Sequence, residues 1–259
     1  MPELPEVEFF RSYIEQCLFQ EIKDFEVRDK RFFVSKLKNF KKKLIGNQFN
    51  SVDRRGKFLI VNLRLYSFKL VFHFGMTGDL SYRKSGMPEE KYTRIVFIFH
   101  NGYELRVTDQ RRFGKLYLVE GVNEIKTIRN MGPEPLKINE KEFLVIFGKH
   151  PRRRVKSFLM DQTIIAGIGN MYSDEILFQA GIRPDRRVMD LTSWEKIRLF
   201  NKTQEILRKV VKADADLNKF KNFLLLYRKR DANCPRCGGG VEILKMSNRN
   251  SYYCPRCQS

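Results

Sequence analysis

Long apolar runs are missing from this chain. No stretch approaches the roughly 20 residues needed to cross a bilayer, and the N-terminus lacks the charged-then-apolar pattern of a signal peptide. Acidic residues are also scarce: 30 aspartates and glutamates stand against 50 lysines and arginines, a net charge of +20 that recurs along the chain instead of gathering in one tail. These two deficits predict a protein of the cytoplasm or nucleoid with a polyanionic partner. The densest basic run, Lys36, Lys38, Lys41, Lys42 and Lys43, would suit a solvated face equally well if read alone. Cysteine is sparse and odd in number, with five residues, so a disulfide framework would leave one thiol over. The three histidines, His73, His100 and His150, have no metal-ligand spacing and read as structural or phosphate-contacting. There is no phosphate-binding lysine loop, no acidic cluster suited to magnesium and no dinucleotide fingerprint, which argues against phosphoryl transfer and nucleotide redox chemistry. Internal repeats and low-complexity segments are absent as well.

What is present is the material of a folded chain. Hydrophobic residues make up 42% of the 259 and include 22 phenylalanines, so the signature of disorder is missing. Val7, Phe10, Ile14, Cys17 and Leu18 recur at helical spacing behind Pro5, a residue that fits a first helical turn. From about Phe25 to Glu120 the pattern changes to alternation and β-branched or aromatic runs, such as Lys57–Val61 and Phe68–Phe72. Ile95–Phe99 and Glu104–Val107 flank His100-Asn101-Gly102, whose Asn-Gly pair favours a tight turn. After Met131-Gly132-Pro133 helical patterns take over, and Thr192 with Glu195 has capping-box spacing ahead of a long helix bearing Ile197, Leu199, Ile206, Leu207 and Val210. The expected class is α+β, divided into residues 1–131, 132–230 and 231–259.

The sharpest local motif is Cys234-Pro235-Arg236-Cys237, followed after sixteen residues by Cys254-Pro255-Arg256-Cys257. Four thiolates at this spacing predict one structural zinc ion, with metal binding supplying the folding energy of a module too small for its own core. Protein sulfur would fill every coordination position, so no catalytic metal is expected. Arg249 lies between the knuckles, where a hairpin tip could present it to a phosphate, although a lone exposed arginine is equally ordinary surface. Gly167-Ile168-Gly169-Asn170 can turn backbone N–H groups toward a phosphate ahead of a helix. At the other end, loss of Met1 would leave Pro2 with a free secondary amine. An α-amino group titrates near about 7.7–8.0 against about 10.4 for lysine, so more of it is nucleophilic at neutral pH. Glu3 and Glu6 stand beside it and could shuttle protons, with Lys57 as a further cation. The same carboxylates would also serve a helix's first turn.

With these residues in view, the sequence closely resembles the bacterial formamidopyrimidine-DNA glycosylases, within the larger group that includes endonuclease VIII. The resemblance runs through Pro2-Glu3-Leu4-Pro5-Glu6-Val7-Glu8, Gly56-Lys57, His73-Phe74-Gly75-Met76-Thr77-Gly78, Asp109-Gln110-Arg111-Arg112-Phe113-Gly114 and Met131-Gly132-Pro133-Glu134-Pro135-Leu136. It continues through Lys156-Ser157-Phe158-Leu159-Met160-Asp161 and Gly167-Ile168-Gly169-Asn170 to the cysteines. It implies an N-terminal β-sandwich with flanking helices and a C-terminal helical domain with a helix-two-turn-helix element and a zinc finger. It also implies a monomeric glycosylase and lyase acting on damaged double-stranded DNA. Pro2 would be the Schiff-base nucleophile, Glu3 the acid at the sugar ring, Glu6 an orienting carboxylate and Lys57 a phosphate contact. Met76, Arg111 and Phe113 would fill the gap left by a flipped nucleotide, and Lys156, Asn170 and Arg249 would grip the backbone.

The pattern is broken between the long helix and Cys234. A loop that closes over oxidised guanine in the family looks deleted here, Arg228 stands where glycine is usual, and Gln110 where proline is usual. Weak discrimination for oxidised guanine is therefore expected, with formamidopyrimidines, oxidised pyrimidines or abasic sites handled as well or better. Two alternatives stay open on sequence alone: an endonuclease VIII-like preference, and a zinc-dependent DNA-binding protein without catalysis.

Overall fold

The computed structural model describes residues 1–35, 39–246 and 248–259, so Lys36 and Lys38 of the basic run lie outside the described residues. It divides into two compact units, residues 1–130 and 131–259.

The first unit opens with helix α1 (Leu4–Glu15). Nine strands follow: β1 (Ile22–Val27), β2 (Phe33–Ser35), β3 (Phe49–Arg55), β4 (Phe58–Leu63), β5 (Lys69–His73), β6 (Gly78–Lys84), β7 (Thr93–Phe99), β8 (Tyr103–Asp109) and β9 (Lys115–Val119). Two short helices, α2 (Phe40–Leu44) and α3 (Lys126–Arg129), complete it. The strands form a four-stranded sheet in the order β1-β7-β8-β6 and a five-stranded sheet in the order β2-β9-β5-β4-β3. Inward residues of both sheets, among them Phe25, Phe49, Phe72, Phe97 and Leu118, meet in one core with Val7, Phe10 and Ile14 of α1. The strands are those that the alternating pattern predicts, and their arrangement is the sandwich that the resemblance implies. The β7–β8 hairpin turns through His100-Asn101-Gly102, with Gly102 at φ +81°, where a side chain would be strained.

Helix α1 stops earlier than its apolar period suggests. Cys17 is fully buried and belongs to the core, but the helix ends at Glu15 and Phe19 adopts φ +62°, so the inward spacing outlasts the helix.

The second unit contains α4 (Glu140–Gly148), α5 (Val155–Met160), α6 (Asn170–Ala180) and α7 (Ser193–Lys212), then the hairpin β10 (Glu242–Met246) and β11 (Arg249–Tyr253). Thr192 caps α7 by accepting from the Glu195 amide, and the Glu195 carboxylate accepts from the Thr192 amide. From Ala213 to Asn233 the chain passes through two single 3-10 turns, Leu217–Lys219 and Leu224–Tyr227. The cysteine module does not stand alone: Cys234, Cys254 and Val241 are buried with Phe178 of α6 and Leu224. Among the described residues, no helix is long and apolar enough to cross a membrane.

Candidate functional site

The N-terminal residues are organised by the start of α1. Glu3 is the residue before the helix and is buried, at 1% exposure. The Glu6 carboxylate bends back to accept from the Glu3 amide at 2.9 Å, one half of a capping box. Pro5 sits in the first turn, where its missing N–H costs no helical bond. One turn further on, the Glu8 carboxylate accepts from Arg54 Nε at 2.7 Å, and the same guanidinium donates to the Gly56 carbonyl at 3.0 Å. Arg54 thus ties the acidic first turns of α1 to the β3–β4 turn that carries Lys57. Neither Glu8 nor Arg54 stands out in the sequence as a site residue, because they lie 46 positions apart.

Lys57 is itself buried, at 8% exposure. Its charge reaches His73, whose ring lies 4.6 Å from that of Phe58. Burial, reinforced by the Lys57 charge and opposed by Asp109, pushes the His73 imidazole down to about 4, so the ring is neutral at physiological pH. His100 is instead an exposed partner of Glu21 at 3.5 Å, and His150 rests 6.0 Å from the Phe158 ring.

At one end of the sandwich two loops lie against each other. The β5–β6 loop exposes Met76, and the β8–β9 loop exposes Phe113 and Arg111, whose guanidinium carbon sits 4.9 Å from the Phe113 ring centre. Asp109, fully buried, joins them. It accepts from the Thr77 hydroxyl, from the Arg111 amide at 3.2 Å and from the Gly114 amide at 2.7 Å. The approach is so close that a Cβ on Gly75 would lie 2.5 Å from the Gly114 nitrogen, and Gly75 also needs φ +60°. The structure therefore brings Met76, Arg111 and Phe113 together as one exposed group held by a buried carboxylate.

The second unit gathers Lys156, Asn170 and Arg249. Gly169 precedes α6, and Asn170, its first residue, donates to the Asn250 carbonyl at 3.2 Å. Arg249 is exposed at the start of β11 and borders a cleft of about 250 Å³ with Arg153, Ser157, Met160 and Lys156. Lys156, to which the resemblance gives a grip on the DNA backbone, is buried. It is 2% exposed, and its ammonium lies 2.6 Å from Asp174 Oδ1 and 2.7 Å from Ser251 Oγ.

Cys234, Cys237, Cys254 and Cys257 place all four sulfurs within 4.8 Å of one another, with Sγ···Sγ separations of 3.8 Å for Cys234–Cys257 and 3.5 Å for Cys237–Cys254. Tetrahedral Zn–S bonds of about 2.3 Å put sulfurs about 3.8 Å apart, so the cage fits one zinc ion bound by protein sulfur alone.

A β-sandwich bearing a buried acid beside Pro2, and a helical unit closed by a four-cysteine metal cage, are the architecture of the DNA glycosylases that the sequence resembles. Family comparison agrees along the chain. Residues 1–116 match the formamidopyrimidine-DNA glycosylase N-terminal domain, 131–222 the formamidopyrimidine-DNA glycosylase H2TH domain, and 234–259 the zinc finger found in FPG and IleRS. The formamidopyrimidine-DNA glycosylase of Pelotomaculum thermopropionicum is 35% identical over 274 aligned positions, covering 100% of this chain and 99% of that one. The enzyme of that name from Listeria monocytogenes is 33% identical over 276 positions, with complete coverage of both chains. Both alignments are longer than the 259 residues, so these relatives carry residues this chain lacks. Among solved structures, Lactococcus lactis Fpg in complex with DNA containing N7-benzyl-Fapy-dG superposes with a TM-score of 0.88 at 30% identity, covering 100% of both chains. The chain belongs to the formamidopyrimidine-DNA glycosylase family.

Proposed function

We propose that this protein is a base-excision DNA glycosylase and abasic-site lyase that uses Pro2 as its nucleophile on damaged double-stranded DNA, working as a monomer in the cytoplasm. The observation that carries the reading is the organisation of α1: Glu3 is buried beside Pro2, and the Glu6 carboxylate is bonded to the Glu3 backbone. Once Met1 is removed, the Pro2 nitrogen forms a bond to the anomeric carbon as the glycosidic bond breaks and its electron pair leaves with the base. Glu3 supplies a proton to the ring oxygen as the sugar opens to the iminium; loss of a C2′ proton to a base then gives the electron pair that forms the C2′–C3′ double bond and expels the 3′ phosphate, and water releases Pro2. Glu6 holds the turn in place, and Lys57 contributes positive charge next to the reacting strand.

The exposed group of Met76, Arg111 and Phe113 fills the space of an extruded nucleotide, and extrusion is required because an anomeric carbon is unreachable inside the stack. Asn170 and Arg249 grip phosphate, and Lys156 supports that grip from within. In this division of labour residues 1–131 carry the chemistry, 132–230 hold DNA and 231–259 form the finger. The short passage from Ala213 to Asn233 and the extra residues of the relatives support a reduced capping loop. Formamidopyrimidines, oxidised pyrimidines and abasic sites are then handled at least as well as oxidised guanine.

Borohydride trapping on a duplex with an abasic site tests the reading. The mature protein is expected to form a covalent adduct, while Pro2→Gly and a form retaining Met1 give far less. Tight, salt-sensitive binding without any adduct would leave a zinc-dependent DNA-binding protein instead.

A further inference from the structure

Resting on that reading, we propose that Arg228 is a positioning residue for DNA binding, locking the zinc-finger hairpin against the first turn of α6 so that Arg249 and Asn170 act as one grip. Arg228 follows the second 3-10 turn, and its side chain is only 14% exposed. One guanidinium makes three contacts. Its Nε donates to Asp174 Oδ2 at 3.0 Å, its terminal nitrogen approaches the Asn170 carbonyl at 3.4 Å, and its central carbon lies over the Tyr252 ring, 5.0 Å from the ring centre.

Each contact falls on an element that bears the proposed grip. Asp174 is one turn beyond Asn170 on α6, so both contacts fix the same end of the same helix. Tyr252 belongs to β11, three residues after Arg249, and its amide donates to Asp174 Oδ2 at 3.2 Å. From the opposite side Lys156 binds the other oxygen of Asp174 and the Ser251 hydroxyl. Asp174 is therefore a buried hub with two cations and a strand amide converging on it, and Arg228 is the arm that reaches the ring of β11. Glycine, the usual residue here by the resemblance, could make none of these contacts.

The charges also point to an anion. Lys156 and Arg228 both contact the Asp174 carboxylate, so two cations meet at the end of α6 where the helix dipole is already positive. Positive charge at that helix end favours a phosphate docking at Asn170 and Arg249. The planar guanidinium suits this place better than an ammonium, because it can bond in its plane and stack on its face together.

The test uses the zinc-loaded full chain and a fluorescent duplex carrying a reduced abasic site, with affinity read by anisotropy. Arg228→Ala is expected to weaken binding by about ten-fold while zinc content stays at one ion per chain. Single-turnover lyase rate at saturating DNA should stay within about twofold, because the residue acts on binding. Arg228→Lys should recover only part of the loss. Adding Arg249→Ala to Arg228→Ala should cost much less than Arg249→Ala alone, the mark of coupled residues. Should Arg228→Ala fold poorly, Tyr252→Leu removes the ring beneath the guanidinium and should show the same coupling with a smaller loss. Fully additive losses, or Arg228→Ala binding like the parent, would overturn the proposal. A parent protein that neither binds nor is trapped by borohydride would overturn the proposed function beneath it.

Discussion

Thr77 and Asp109 are bonded side chain to side chain across 32 residues of sequence, and the bond closes two loops into one surface. Because Asp109 also accepts from the buried Gly114 amide, its loss leaves that amide and the Thr77 hydroxyl without this acceptor, while the Arg111 amide keeps its bond to Thr77 Oγ1 at 2.9 Å. Each unsatisfied buried group costs about 1–3 kcal/mol. Asp109→Ala is expected to lower the melting temperature and to cut excision of an oxidised base from duplex DNA by at least about ten-fold. Thr77→Val removes one hydroxyl and should cost about 1 kcal/mol, with a few-fold loss of excision. Single-turnover excision beside thermal melts checks both. Wild-type excision by Asp109→Ala would show that the loops do not need the clasp.

His73 should give the acid limb of stability. It is held neutral by burial and by Lys57, with its folded value near 4 against about 6.5 when unfolded. A depressed value means that its contribution is complete above about 6.5 and is lost as pH falls through about 4. The size is on the order of 3 kcal/mol. His73→Phe, which keeps a ring against Phe58, should lose less stability than the parent over that window in denaturant titrations. Parallel pH profiles for the two proteins would contradict the assignment.

Glu175 works in the opposite direction. It is fully buried on α6 and accepts from Gln179 at 2.7 Å and from the Leu225 amide at 3.0 Å, and burial pushes its carboxyl up to about 7. A raised value means that the stability from its proton is complete below about 4.5, the ordinary value, and is lost as pH rises through about 7. Glu175→Gln cannot lose a proton. Its melting temperature should gain on that of the zinc-saturated parent between pH 6 and 8, and a constant difference across that range would argue against a buried acid.

Removing zinc should separate the two units by behaviour. The cysteines share their buried cluster with Phe178 and Leu224, while the sandwich has a core of its own. Chelation, or Cys237→Ser, is expected to abolish tight DNA binding as the hairpin bearing Arg249 loses its support. Calorimetry should still show a cooperative transition for the sandwich. An apoprotein that binds DNA as tightly as the holoprotein would exclude a structural role for the metal.

Local signals made much of this legible beforehand. Thr192 with Glu195, the Asn101-Gly102 turn and the two Cys-x-x-Cys pairs each encode their structure within a few residues, and the structure has a cap, a hairpin and a sulfur cage at those places. Contacts between distant positions were invisible: Glu8 with Arg54, Thr77 with Asp109, and Asp174 with Lys156 and Arg228. Lys156 shows why. Composition treats lysine as surface, and only a fold that delivers an aspartate and a serine to the same point can bury one. The apolar spacing at the start of the chain runs past the end of α1 because Cys17 is buried in the sandwich core beyond the helix.

The bond from Glu6 to the Glu3 amide has an evolutionary side. To hold the start of α1, position 6 needs only an acceptor, and glutamine meets that demand as well as glutamate. The two residues are separated by a single nucleotide change in the codon. If the carboxylate is needed for turnover, such a change would leave a well-folded descendant that still finds and covers lesions but processes them poorly. Selection for folding alone would not notice the difference, and in a cell the descendant would shield damage from other repair enzymes.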